Sequence, residues 1–150
     1  MLLLLVFACL APAAAQLQPD EVLRVVQKSA EDWNRGDLNA FMQCYEQSEE
    51  TTFVGTEVSR GTSAVLARYR RAYPDTTAMG KTTFTELKVR PLSAELAIVT
   101  GRFTLVRKQE LGGNKTGLFT LVMRKTRLGW RVIHDHTSSD PGPVPASRQP

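Results

Sequence analysis

The run from Gly117 to Ser139, GLFTLVMRKTRLGWRVIHDHTSS, constrains the fold more than any other part of this chain. Two apolar-rich segments flank a basic turn, and the second ends in the polar cluster His134-Asp135-His136-Thr137-Ser138. Strand side chains point alternately to two faces, so an ionisable cluster at a strand end needs water, hydrogen-bond partners or a ligand. The stretch therefore locates a site without naming its chemistry.

Upstream the apolar period changes. Pro19 and Asp20 suit the first turn of a helix, and Val22, Val25, Val26, Ala30 and Trp33 follow at helical spacing. Asn34-Arg35-Gly36 ends that helix, with Gly36 suited to a left-handed cap. Asp37 then caps a short second helix carrying Leu38, Phe41, Met42 and Tyr45. Thr51 to Val54 reads as a short strand. Gly61-Thr62 opens a third helix carrying Val65, Leu66, Tyr69 and Tyr73, closed by Pro74. After Gly80 the period becomes two. Strands are expected over Thr82 to Arg90, Glu95 to Lys108, Lys115 to Lys125 and Trp130 to Thr137, with turns at Leu111-Gly112-Gly113-Asn114 and Leu128-Gly129. Helices followed by a meander of four long strands make an α+β plan. A curved antiparallel sheet wrapped around the helices would form a cone with a pocket at its open end.

The chain's 150 residues, 42% of them hydrophobic, suit one domain. Met1 to Ala15 is uncharged, too short to span a bilayer comfortably, and ends Ala13-Ala14-Ala15. We read residues 1–15 as a signal peptide, residues 16–139 as the domain and residues 140–150, with their Pro141-Gly142-Pro143-Val144-Pro145 run, as a disordered tail. A periplasmic or secreted location follows, without stable membrane insertion once the signal is removed. No Lys or Arg precedes the apolar run, and two other readings stay open. One is a lipoprotein anchored at Cys9. The other is a buried N-terminal helix, although Pro12 interrupts it. Cleavage would leave Cys44 as the sole cysteine, which excludes an internal disulfide and reads as a buried thiol. The net charge of +4 comes from clusters at Arg68, Arg70 and Arg71, at Arg107 and Lys108, and at Arg124, Lys125 and Arg127. No nucleic-acid motif accompanies them, so they read as solvated helix faces and turns, with no nucleic-acid partner.

Trp33-Asn34-Arg35-Gly36-Asp37-Leu38 followed by Phe41 and Tyr45 resembles the helix-one to helix-two signature of the nuclear transport factor 2-like superfamily. Gly61 at the third helix and Val99-Thr100-Gly101-Arg102-Phe103-Thr104-Leu105 fit the same pattern. The ending Gly129-Trp130-Arg131-Val132-Ile133-His134-Asp135-His136-Thr137-Ser138 is similar to its SnoaL-like branch of small uncharacterised bacterial proteins, and to the association domain of calcium/calmodulin-dependent kinase II. The resemblance covers Pro19 to Ser139. It implies a cone-shaped, cystatin-like α+β fold and a homodimer formed through the outer sheet face. It leaves function open, because the superfamily hosts isomerases, cyclases, dehydratases, hydrolases and binding modules. It places Arg102 where the kinase association domain has a pocket arginine, and Tyr73 where that domain has a tryptophan near the pocket mouth. The other pocket arginines of that domain fall at Leu121 and Thr137, so its anion-binding pocket is not carried over.

The candidate catalytic group is Asp135, as the acid–base of an isomerase, cyclase or dehydratase. Alternation leaves the inward face of the last strand open, because Val132 and Ile133 are both apolar. The resemblance favours Asp135 and Thr137 inside, with Arg102 as the partner of Asp135. The alternative to a catalytic role is a structural hydrogen bond that Asp135 accepts from Arg102 or Trp33. Candidate ligand-binding residues are Trp33, Tyr45, Tyr69, Tyr73, Arg102, His136 and Thr137. They suit a small apolar or carbonyl-bearing molecule. His134 and His136 share a face but lack the third ligand that zinc needs, so no metal is expected, and both are assigned to the dimer interface. No phosphate-binding loop or cofactor motif is present. Three readings therefore stand: an exported small-molecule-binding domain of unknown specificity with an aromatic-lined pocket, an enzyme using Asp135, and an interaction module without a ligand. A cavity holding Asp135 and Arg102 would favour the first two, and one filled by Met123, Phe119 and Tyr45 the third.

Overall fold

A computed structural model describes residues 19–140. The expected signal peptide and nearly all of the expected tail lie outside the described residues. Helix α1 (Pro19–Asn34) and the short α2 (Leu38–Met42) come first, then strands β1 (Thr52–Val54) and β2 (Val58–Arg60). Helices α3 (Thr62–Ala72) and α4 (Thr76–Met79) precede the long strands β3 (Lys81–Pro91), β4 (Leu96–Val106), β5 (Lys115–Thr126) and β6 (Gly129–Ser139). The strands form one curved, unclosed sheet in the order β2-β1-β6-β5-β4-β3. Its long pairs are antiparallel, but β1 runs parallel to β6, pairing Phe53 with Asp135. Besides a single 3-10 turn at Gln109–Leu111, two elements were not anticipated from the sequence. They are the three-residue β2 and the single turn α4, which Asp75 caps by accepting from the Ala78 amide at 2.8 Å.

The Trp33-to-Asp37 signature locks the helices onto the sheet. The Trp33 indole donates to the Met79 carbonyl at 3.0 Å. The Asn34 amide pairs with both backbone groups of Thr82, at 2.8 and 2.7 Å, as a neighbouring strand would. Gly36 takes φ +76°, the left-handed conformation in which a side chain is strained, and a Cβ there would lie 2.6 Å from Thr76. Asp37 then caps α2 through the Ala40 amide at 2.8 Å. Tyr45 leaves the expected second helix and forms a parallel bridge with Val132, so its ring enters the core beneath the last strand.

The core lies between α1 and the inner sheet face, filled by Val22, Val26, Val65, Val99, Met123, Trp130 and Val132. Alternation is clean on β4 and β5, where Ala97, Val99, Gly101 and Leu105 and then Gly117, Phe119, Leu121 and Met123 face inward. On β6 it breaks. Met123 pairs with Val132 and Val122 with His134, which leaves Ile133 as the extra residue of a β-bulge. The bulge shifts the parity of the strand, so Trp130 and Val132 face inward before it and Asp135 after it.

Candidate functional site

Beneath the mouth of the curved sheet is a cavity of about 570 Å³. Its walls include the rings of Trp33, Phe41, Tyr45, Phe53, Tyr69, Tyr73, Phe84, Phe103 and Phe119. Trp33, Phe41, Phe53, Tyr69 and Tyr73 pack largely edge to face, with centroids 4.8–5.9 Å apart in those contacts, a geometry that matches ring edges to ring faces.

Among the described residues Asp135 is the one acidic residue lining this cavity, and it is only 5% exposed. Its Oδ2 accepts from the Tyr45 hydroxyl at 2.6 Å, and its Oδ1 accepts from the Thr137 hydroxyl at 2.7 Å. The Tyr45 oxygen lies 3.2 Å from that of Tyr69. A phenol has one proton to give, so with Tyr45 donating to Asp135, Tyr69 must donate to Tyr45. Burial pushes the Asp135 carboxyl above the usual carboxylate range. The hydroxyl donors Tyr45 and Thr137, with nearby His134 and His136, pull it down without cancelling that push. Burial first, and then the charge on Asp135, hold the Tyr45 and Tyr69 phenols well above their ordinary value. Both remain donors at neutral pH. The arrangement is a buried carboxylate with two hydroxyl donors, no cationic partner among the described residues, and an open cavity beside it.

Seven of the eight site residues expected from the sequence line this cavity: Trp33, Tyr45, Tyr69, Tyr73, Asp135, His136 and Thr137. Arg102 does not, and this corrects the expected Arg102–Asp135 pair. Its neighbour Gly101 is buried on the inner face, so Arg102 projects outward. There it donates from Nε to Glu86 at 3.0 Å and from Nη1 to Asp140 at 3.1 Å. The Trp33 alternative fails too, since that indole is bound to Met79. Phe41 of α2, and Phe84 and Phe103, which strand alternation places inside, also line the cavity but were not named as site residues, nor were Lys115 at the start of β5 and Arg68, read as part of a solvated basic cluster. Cys44 lies in the cavity wall beside Ser29, and burial drives its thiol far above the ordinary range, consistent with an unreactive thiol. Among the described residues no cluster of three His, Cys, Asp or Glu side chains could hold a metal, and no helix is long and apolar enough to cross a membrane.

The geometry can be set against known proteins. Residues 22–141 match the SnoaL-like domain family. The chain belongs to that family. The SnoaL-like chain is similar to a solved NTF-2 like protein of unknown function from Shewanella oneidensis, at 34% identity over 80% of this chain and 98% of the other, with a TM-score of 0.74. It shares its fold with a cystatin-like protein of unknown function from Nostoc punctiforme, at 11% identity, 85% and 96% coverage and a TM-score of 0.68. It also shares it with a ketosteroid isomerase-like protein from Erwinia carotovora atroseptica, at 18% identity, 82% and 96% coverage and a TM-score of 0.67. No curated protein matches the chain significantly.

Proposed function

We propose that this SnoaL-like domain binds a small, largely apolar molecule in the cavity under the sheet, with Asp135 as its polar anchor. One observation carries the reading: a carboxylate without a cationic partner opens into a volume of about 570 Å³ walled by aromatic rings. Such a volume falls within the roughly 300–1,000 Å³ of ordinary ligand sites. Met123, Phe119 and Tyr45 do not fill it, which argues against a pure interaction module. A thermal-shift screen of aromatic ketones, steroids and small carboxylates tests the proposal, with Leu121→Trp as the control. Leu121 pairs with Asp135 across the sheet and lines the cavity, so an indole there would occupy ligand space. Binding should appear in the parent and be lost in the variant. A folded variant that binds every hit as well as the parent would refute the reading.

The raised affinity of Asp135 for its proton favours a second reading, proton transfer at a carbon next to a bound carbonyl. The carboxylate would take the proton, and the Tyr45 hydroxyl, no longer bound to a carboxylate charge, would turn to steady the enolate oxygen. Deuterium exchange into a bound ketone, followed by NMR in the parent and in Asp135→Asn, separates binding from turnover.

We also propose that the protein acts outside the cytoplasm, supported by Met1 to Ala15, and as a homodimer through its outer sheet face. Ile98, Leu118 and Val122 alternate there with the inward core residues, beside His134. Gel filtration across micromolar concentrations checks the dimer, and a clean monomer would exclude it.

A further inference from the structure

The charged residues lining the cavity differ in sign with burial, and that ordering bears on what enters it. The buried part of the lining carries the one carboxylate, Asp135. The exposed part, its mouth, carries Lys115 from the start of β5, beside His136, Ser138 and Ser139 from the end of β6, and the half-buried Arg68 of α3 also lines the cavity. Arg68 is held rather than loose. Its guanidinium carbon lies 4.7 Å from the centre of the Phe53 ring, and its Nη1 donates to Glu57 at 2.9 Å. Glu57 does not neutralise the mouth, because Arg71 shares the same carboxylate oxygen at 3.5 Å. Asp140, whose amide is anchored to Thr116 beside Lys115, has its carboxylate engaged by Arg102. Lys115 makes no hydrogen bond or ion pair among the described residues. Arg107 adds a further cation 5.5 Å from the ring centre of Tyr73, with backbone carbonyls rather than acids as its side-chain partners.

From this ordering we infer that the ligand is an amphipathic organic anion. Its flat apolar body lies among the rings, its carboxylate or sulfonate-like group sits at the mouth against Lys115 and Arg68, and its uncharged polar end meets Asp135. The inference rests on the proposed small-molecule pocket and adds the charge and orientation of what fills it. An anion placed at the inner end would face the Asp135 carboxylate in a low-dielectric setting, where like charges repel strongly. At the mouth the same anion meets an excess of positive charge. The two ends therefore act together to exclude the reversed pose. Both cations come from elements other than the strand that carries Arg102.

Two fluorescent probes with a common ring system test this directly: anilinonaphthalenesulfonate, which carries one negative charge, and its uncharged analogue phenylnaphthylamine. Affinities are measured for the parent, Lys115→Gln and Arg68→Gln. The Lys115 side chain holds no partner among the described residues, so its replacement should leave the fold intact, and melting curves report on both variants. The sulfonate should bind the parent about tenfold more tightly than the neutral dye, and the two should compete. Lys115→Gln should weaken the sulfonate several-fold, towards but not to the affinity of the neutral dye, and leave the latter within about twofold. Added salt should likewise weaken only the sulfonate. If the neutral dye binds as tightly as the sulfonate, or if Lys115→Gln affects both alike, the anionic ligand is refuted and the pocket stands. If neither dye binds, the pocket reading itself falls and takes this inference with it.

Discussion

Replacing Asp135 by Asn should stabilise the protein at neutral pH. The substitution keeps the shape and the hydrogen bonds. Tyr45 can donate to the amide oxygen as it does to Oδ2 at 2.6 Å, and the amide nitrogen can donate to Thr137, whose hydroxyl rotates to accept. What changes is the charge. Exchanging two charge-assisted hydrogen bonds for neutral ones costs about 0.5–1.5 kcal/mol each. Against this, a carboxylate that is 5% exposed and lacks a cationic partner no longer has to be kept ionised out of water. The balance is set by the proton affinity of Asp135 in the folded state. It is raised above the ordinary 3.8, so the cost of burial exceeds what Tyr45, Thr137 and the two histidines return. The net gain in the Asn variant is on the order of 1 kcal/mol.

The sign in pH follows. Between the unfolded-state value and the raised folded-state value, the native protein binds more protons at this position than the unfolded chain. The contribution of Asp135 to stability therefore falls as pH rises through that window, and the penalty is constant above it. Each pH unit separating the two values contributes about 1.4 kcal/mol. Urea denaturation of parent and variant from about pH 4 to pH 7 should give curves that coincide at the acid end apart from the hydrogen-bond difference and diverge towards neutrality, with unchanged m-values. Comparing the two proteins removes the titration of the other carboxylates. A variant less stable than the parent by more than about 1 kcal/mol at pH 7, or an advantage that grows on acidification, would refute the reasoning and imply a cation near Asp135.

Three further outcomes are expected. Tyr45→Phe deletes one of the two donors to Asp135, so the carboxyl titration followed by NMR should move to higher pH and stability at pH 7 should fall by about 1–3 kcal/mol; an unmoved titration would break the assigned network. Asn34→Ala removes both side-chain bonds to Thr82 and should cost about 1–3 kcal/mol in urea titrations, with a loss under about 0.5 kcal/mol arguing against the helix-to-sheet latch. The half-buried Cys44 thiol should react with an aromatic disulfide reagent at neutral pH far more slowly than a free exposed thiol, because burial disfavours its thiolate, and a reaction as fast as that of a free thiol would contradict this.

Most of the fold is legible in the sequence because its signals are local. The helical period ending at Trp33, the left-handed Gly36, the Asp37 cap and the alternating strands each depend on a few neighbouring residues, and each appears where expected. β2 and α4 escape because three or four residues carry no measurable period, and both are fixed by partners rather than by their own pattern: Ser59 by Phe53 of β1, and Met79 by the Trp33 indole. The parallel pairing of β1 with β6 is likewise a tertiary fact without a local mark.

The site divides along the same line. Tyr45, Tyr69, Tyr73 and Asp135 could be nominated because aromatic and acidic residues on these elements have few other places to go. Their connection could not be derived, because it depends on the bulge at Ile133. Under strict alternation, an inward Val132 would put His134 and His136 inside and turn Asp135 to solvent. One extra residue reverses this, and so a single strand serves the core with Trp130 and Val132 and the cavity with Asp135 and Thr137. The same parity argument, applied to the unbulged β4, sends Arg102 to the outer face, where Glu86 and Asp140 hold it. The bulge thus places a carboxylate in an aromatic cavity and, by leaving Arg102 outside, withholds the cation that would have neutralised it. Asp135 keeps a proton affinity that a paired carboxylate would lose, and the cations that do line the cavity stand at its mouth, where a ligand rather than Asp135 can meet them.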